Sequence, residues 1–168
     1  GIFGEDLHSE IAMSLLHGTT RSTLSLAFLL VLIWAGEANA QLAVGNWVRT
    51  DSAGMGITLT VEACCNGGYR LTYHIPAMGD QPAATLTVDS PMDGTEVPVL
   101  LNGKPSGETM AIKRVDAFHA SGVVKMNGQL FGTSSTTLAP DGKSATTESV
   151  AEMPGGKKQT VMETWVKK

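Results

Sequence analysis

Two adjacent cysteines, Cys64 and Cys65, are the only cysteines of the chain and its most chemically distinctive pair. They precede Asn66-Gly67-Gly68, a sequence that predicts a hairpin tip. Neighbouring Cα atoms lie about 3.8 Å apart, below the usual disulfide range, so a bond between these cysteines is strained and easily reduced. The pair predicts a redox-sensitive site; the alternative is that both cysteines are incidental turn residues.

Soft-metal binding is the second chemistry that the residue types suggest. Thioether, thiolate and imidazole groups suit copper(I), and the chain after residue 40 carries seven methionines together with His74 and His119. Their spacing is irregular, and no H-x-H or M-x-x-M cluster occurs. We therefore expect these methionines to fill the core or to lie on loops, and we predict neither a metal site nor a cofactor.

No catalytic motif is recognisable, so a non-enzymatic protein is predicted. His74 lies on the polar phase of an alternating segment, and His119 has no serine or cysteine partner at an identifiable spacing. Gly142-Lys143-Ser144 imitates the end of a phosphate-binding loop, but the earlier glycine that the motif needs falls on Thr137.

An apolar run at residues 24–35 predicts export. It follows Met13 and Arg21 and is followed by Ala38-Asn39-Ala40, an A-x-A cleavage site. The run is shorter than the roughly 20 residues of a membrane-spanning helix, so no stable membrane anchor is expected. We predict an upstream extension foreign to the native protein at 1–12, a helical signal peptide at 13–40 and a secreted or periplasmic bacterial domain at 41–168.

The charge of the predicted mature domain is nearly balanced. Residues 1–40 contain one of the 12 basic residues and four of the 16 acidic residues, which leaves residues 41–168 with a net charge near −1. No basic patch stands out, so nucleic acid is not expected as a partner.

In the segments that position these residues, apolar and polar side chains alternate with a period of two. The segments 57–62, 69–75 and 84–89 alternate apolar and polar residues, with Thr at many outward positions, which is typical of half-buried strands. Turn sequences such as Asn127-Gly128 separate the segments. We predict an all-β, antiparallel up-and-down barrel of eight or nine strands at 44–50, 57–63, 69–75, 83–89, 108–115, 117–126, 129–138, 143–152 and 158–167.

Several motifs in this order resemble small exported bacterial lipocalin-like proteins of unassigned function. They are Gly45-Asn46-Trp47, Lys113-Arg114-Val115-Asp116, the Asn127-Gly128 turn, Pro140-Asp141-Gly142-Lys143-Ser144 and Glu163-Thr164-Trp165-Val166. The resemblance covers nearly all of residues 44–168 and implies a small barrel, with or without a calyx for an apolar ligand, and no catalytic residues. The adjacent cysteines depart from that pattern.

Three functions remain open from the sequence. The first is binding of a small apolar ligand, and the residues expected to line the site are Trp47, Leu59, Leu71, Tyr73, Leu86, Ile112 and Phe131. Small or polar residues on later strands indicate an interior that is less filled on that side, but the same apolar residues also suit a simple core. The second is a protein-interaction or inhibitor module of the cell envelope, acting through residues 91–107 and the Cys64–Gly68 tip. The third is a redox protein acting through Cys64 and Cys65.

Overall fold

The computed structural model describes residues 43–168, which form a closed barrel of antiparallel strands. Each strand pairs with its neighbours in the chain, and the first strand also pairs with the last. The ten strands are β1 (Gly45–Arg49), β2 (Thr58–Cys64), β3 (Gly68–Ile75), β4 (Ala84–Ser90), β5 (Asp93–Leu101), β6 (Lys104–Arg114), β7 (His119–Met126), β8 (Gln129–Leu138), β9 (Ser144–Glu152) and β10 (Lys158–Lys167). The predicted all-β, up-and-down barrel is confirmed.

The number of strands corrects the prediction of eight or nine. The additional strand, β5, lies within the 91–107 segment, where the sequence suggests either a loop or a short strand at 96–101. Register shifts between Asp93 and Glu96 and between Pro98 and Leu100 interrupt its pairing with β6. These irregularities, together with a proline that has no N–H to donate, remove the alternation by which the other strands are recognised.

Period-two alternation places the apolar side chains inside the barrel. In β3, Leu71, Tyr73 and Ile75 are buried whereas Arg70 and His74 are exposed. The same pattern in the neighbouring strands forms one continuous apolar core across the described residues. Threonines occupy outward positions in β2–β4, as expected for strands with one face turned to solvent.

The first and last strands close the barrel around two buried tryptophans, Trp47 and Trp165. Strand β1 pairs with β10 through Trp47↔Lys167 and Arg49↔Trp165, so the two indoles lie on adjacent strands. Trp47 Nε1 donates a hydrogen bond of 2.9 Å to the carbonyl oxygen of Ala43. Lys167 Nζ lies 5.6 Å from the centre of the Trp47 ring, a cation–π distance.

Consecutive turns alternate between the two ends of the barrel. The turns at 102–103, 127–128 and 153–157 lie at one end, called the cleft end below; those at 65–67, 91–92, 115–118 and 139–143 lie at the other, the disulfide end. Asn127 and Gly128 have φ angles of 50° and 81°. Both central residues are therefore left-handed, as a two-residue type I′ hairpin turn requires. The predicted two-residue hairpin is therefore confirmed.

The predicted extension at 1–12 and the signal peptide at 13–40, with its helix, lie outside the described residues. Among residues 43–168, no helix has the length and apolar character needed to cross a membrane.

Candidate functional site

The seven residues predicted to line a ligand site all lie in or against one apolar core. Six of them are buried, with exposed fractions between 0% and 4%, and Phe131 is partly buried at its edge. Tyr73 packs edge-on against Trp165, with their ring centres 6.1 Å apart. Near β1–β4, the predicted lining residues therefore contact each other as a packed core.

An open cleft lies at the cleft end, between the tips of the β7–β8 and β9–β10 hairpins. Strands β8 and β9 pair only as far as Gly132↔Ala151. Beyond this pair, no backbone ladder joins the start of β8 to the end of β9, and the cleft lies between them. The cleft has a volume of about 580 Å³. Its lining combines apolar and polar side chains: Met126, Asn127, Gln129, Leu130, Phe131, Glu152, Met153, Pro154 and Gly156.

Phe131 connects this cleft with the core. The pairing of β7 with β8 passes from Val124↔Gly132 to Lys125↔Leu130, so Phe131 is the extra residue of a β-bulge. Its side chain packs against the core and also lines the cleft. It is the one predicted lining residue that the structure places at an open surface depression.

Glu108 is a buried carboxylic acid beside the cleft. It pairs across β6 and β7 with Met126, which lines the cleft, and cross-strand partners share a face of the sheet. The residue is 4% exposed, and Oε1 has no hydrogen-bond partner among residues 43–168. Burial raises the pKa of Glu108 to about 7. Glu108 lies two residues before Met110 and four residues before Ile112, so the alternation of β6 indicates in the sequence that its side chain faces inward.

A second buried acid, Glu163, belongs to an ionic cluster at the end of β1. Arg49 Nη1 lies 3.4 Å from Glu163 Oε1, and Trp165 Nε1 donates to Glu163 Oε2 at 3.2 Å. Burial raises the pKa of Glu163 to about 8, although the charge of Arg49 and the Trp165 hydrogen bond oppose the shift.

Asp51 holds the other side of the Arg49 guanidinium. Two hydrogen bonds join them, Nε to Oδ2 at 2.7 Å and Nη2 to Oδ1 at 3.0 Å. Burial alone would raise the pKa of Asp51, but the hydrogen bonds and charge of Arg49 hold it below its usual range. Gly54 is required beneath this pair, because a Cβ there would lie only 1.9 Å from Arg49 Cδ. The cluster therefore fixes Arg49 inside the barrel wall.

The inner face of β8 and β9 is small and polar, as the sequence indicated for the later strands. Ser134, Thr136, Thr147 and Ser149 are all buried. The Thr136 and Thr147 hydroxyls are hydrogen-bonded at 2.9 Å, whereas Oγ of Ser134 and of Ser149 has no partner within the described part of the chain. The interior thus contains polar atoms that suit further hydrogen bonding.

The cysteines lie far from the cleft, at the opposite end. Cys64 and Cys65 form a disulfide at the β2–β3 tip, and both are partly exposed. His74 is exposed on the outer face, and His119 Nδ1 lies 2.8 Å from Asp116 Oδ1 on the surface. Ser144 begins a strand, so no helix follows Lys143 as a phosphate loop would require.

The chain matches no protein-family model, no curated protein and no solved structure.

Proposed function

We propose that this protein is an exported, non-enzymatic barrel that binds a small apolar ligand in the cleft between the 127–128 and 153–157 turns. The observation that carries the proposal is the cleft itself, whose volume of about 580 Å³ is large enough for a small molecule. Five of its lining residues have apolar side chains: Met126, Leu130, Phe131, Met153 and Pro154.

The cleft suits this role better than the predicted calyx. Trp47, Leu71 and Ile112 expose none of their surface, so a ligand between them would have to displace packed side chains. Leu130 is 48% exposed at the cleft, and covering it with an apolar ligand stabilises the complex by about 25 cal/mol for each Å² buried. Phe131 belongs to both sites, so the proposal retains one of the predicted lining residues.

The cleft also carries the polar groups that such a site needs. Apolar ligand sites use a small number of placed polar groups to orient the ligand. Asn127, Gln129 and Glu152 line the cleft and offer amide and carboxylate groups to a ligand. Glu108 pairs with Met126 but is 4% exposed and does not line the cleft, so it is not part of the proposed contact. The lining carboxylate favours a ligand whose polar end donates a hydrogen bond, such as an alcohol or an amine.

Export and the lipocalin-like resemblance are part of the same proposal. The apolar run at 24–35 and the Ala38-Asn39-Ala40 cleavage site support export. The alternative of a protein-interaction module draws less support, because most of the predicted contact segment 91–107 forms strand β5 and the start of β6 in the barrel wall.

Binding of an apolar fluorescent dye, N-phenyl-1-naphthylamine, tests the proposed site. Leu130→Ala removes exposed cleft surface, and we expect it to weaken dye binding about three- to tenfold. Met162→Ala is the matched control, because Met162 is equally exposed, at 52%, but does not line the cleft. Equal affinities for the two variants, or no dye binding by the unsubstituted protein, would overturn the proposal.

A further inference from the structure

The tip between β2 and β3 is held tightly against the end of β4. Cys65, Asn66 and Gly67 have φ angles of 58°, 57° and 92°, so three successive residues adopt the left-handed conformation. Residues other than glycine rarely adopt this backbone conformation, and a cysteine in it is uncommon. Gly68 follows, and a Cβ at that position would lie 1.9 Å from the carbonyl oxygen of Ser90. This close approach brings the cysteines beside the last residues of β4.

Three potential metal ligands meet at this tip. The Sγ atoms of Cys64 and Cys65 and a carboxylate oxygen of Asp89 all lie within 4.8 Å of one another. Asp89 is distant in sequence, but the register Arg70↔Asp89 places it on the outer face of the barrel, one strand away from the tip. The cysteines are partly exposed, and the Asp89 side chain is 45% exposed, so ions from solvent reach all three groups.

We propose that reduction converts this tip into a binding site for one thiophilic divalent cation of the zinc or cadmium class, held by Cys64, Cys65 and Asp89. Two thiolates and a carboxylate, with water as the fourth ligand, form a donor set that such cations accept in tetrahedral geometry. The disulfide form lacks the thiolates, so the cation binds only to the reduced protein.

The redox step balances with a small dithiol as reductant. One thiolate of the dithiol attacks a sulfur of the Cys64–Cys65 bond, and its second thiol completes the exchange. The protein disulfide gains two electrons and two protons, the dithiol becomes a cyclic disulfide, and one S–S bond replaces another. The cation then displaces the two thiol protons to solvent as both sulfurs bind it.

Arg70 prepares the carboxylate for this role. Its Nε donates to Asp89 Oδ1 and its Nη2 to Oδ2, each at 2.7 Å. These two hydrogen bonds hold the Asp89 carboxylate in a fixed orientation beside the cysteines. A carboxylate oxygen accepts more than one interaction, so Asp89 is able to bind the cation while Arg70 orients it.

Cadmium binding to the full chain in both redox states tests the site. The protein is reduced with excess dithiol, freed of it by gel filtration under nitrogen, and checked for two titratable thiols. Calorimetry and thiolate-to-cadmium absorption are then recorded for the reduced and oxidised forms. We expect one additional cadmium ion per reduced chain and no thiolate absorption from the oxidised chain.

Two aspartate variants separate the three-ligand site from binding by thiols alone. Asp89→Asn should weaken cadmium binding to the reduced protein by at least about tenfold, since even outer partners of a metal site contribute that much. Asp141→Asn is the control, because Asp141 lies in an exposed turn at the same end and outside the cluster. A disulfide that resists dithiol, equal cadmium uptake by both redox forms, or equal affinity of the two variants would overturn the proposal.

Discussion

The interior of this barrel has two halves that differ in how many polar side chains they bury. The half formed by β1–β4 is filled mainly with apolar side chains, among them Trp47, Leu59, Val61, Leu71, Tyr73, Leu86 and Val88. The half formed by β8–β10 buries Ser134, Thr136, Thr147, Ser149 and Glu163 beside the apolar Leu138, Ala145, Ala151 and Trp165. Both halves follow the same inward-outward alternation.

The difference shows that periodicity decides which side chains enter the barrel but not whether their burial stabilises it. Apolar side chains contribute in proportion to the area removed from water. Hydroxyl and carboxyl groups lose hydrogen bonds to water, and they contribute only where the protein replaces those bonds. The stability of the second half therefore depends on each polar atom finding a partner, and a single-residue substitution in either half measures this contrast.

The largest effect is expected in the apolar half, from Leu71→Ala. Leu71 is fully buried, so truncation leaves a cavity, and we expect the free energy of unfolding to fall by about 2–5 kcal/mol. Urea denaturation measures the change. Leu130→Ala, at an exposed leucine, is the control and should change stability by no more than about 0.5 kcal/mol. A loss at Leu71 as small as that would contradict the picture of a packed half.

Glu163→Gln tests the polar half by removing an acid whose pKa is about 8 when folded and ordinarily 4.5. Between these values the folded state binds one more proton than the unfolded chain, so the stability of the unsubstituted protein falls as pH rises. The amide cannot ionise, and we expect the variant to be more stable than the parent by about 2–4 kcal/mol at pH 8 and little different near pH 4.

The pH window separates Glu163 from the other buried acid. Glu108 has a folded pKa of about 7, so it contributes a smaller part of the stability lost between pH 7 and pH 8 than Glu163, whose folded pKa is about 8. The stability difference between these two pH values should be smaller in Glu163→Gln than in the parent. An equal difference in the two proteins would show that the slope does not arise from Glu163.

The sequence predicts the apolar half better than the rest. Strands β2–β4 alternate regularly over most of their length, and they contain no proline and no bulge. The predicted bounds for these strands differ from the observed ones by one residue at each end where they differ at all. Alternation alone fixes which side chains of a regular strand face inward, so the sequence predicts Leu59, Leu71, Tyr73 and Leu86 inside the barrel without deciding between a filled core and a calyx.

The remaining features depend on register and irregularity, which single residues do not reveal. Strand β5 contains Pro98 and two register shifts, so its alternation is lost. The position of Phe131 at the cleft results from a bulge, and Asp89 meets Cys64 only through the pairing of β3 with β4. Such contacts join residues far apart in the chain and require the folded topology.

Glu108→Gln is expected to have an intermediate effect. Burial raises the pKa of Glu108 from 4.5 to about 7, so ionisation destabilises the fold above that range. The variant should gain about 1–3 kcal/mol at pH 8 over the parent and almost nothing near pH 4. It should keep more of the slope between pH 7 and pH 8 than Glu163→Gln keeps; a loss of the whole slope would contradict the assignment of the two acids.

The smallest effects distinguish a satisfied from an unsatisfied hydroxyl within the polar half. Thr147→Val keeps the shape of the side chain but leaves the Thr136 hydroxyl without its 2.9 Å partner, and it should cost about 1–2 kcal/mol. Ser149→Ala removes a buried hydroxyl that has no partner among residues 43–168, so it should be neutral or stabilising by up to about 1 kcal/mol. Urea denaturation of both variants gives the difference. If Ser149→Ala costs as much as Thr147→Val, Ser149 has a hydrogen-bond partner inside the barrel, and the polar half holds water or a small polar molecule instead of bare hydroxyl groups.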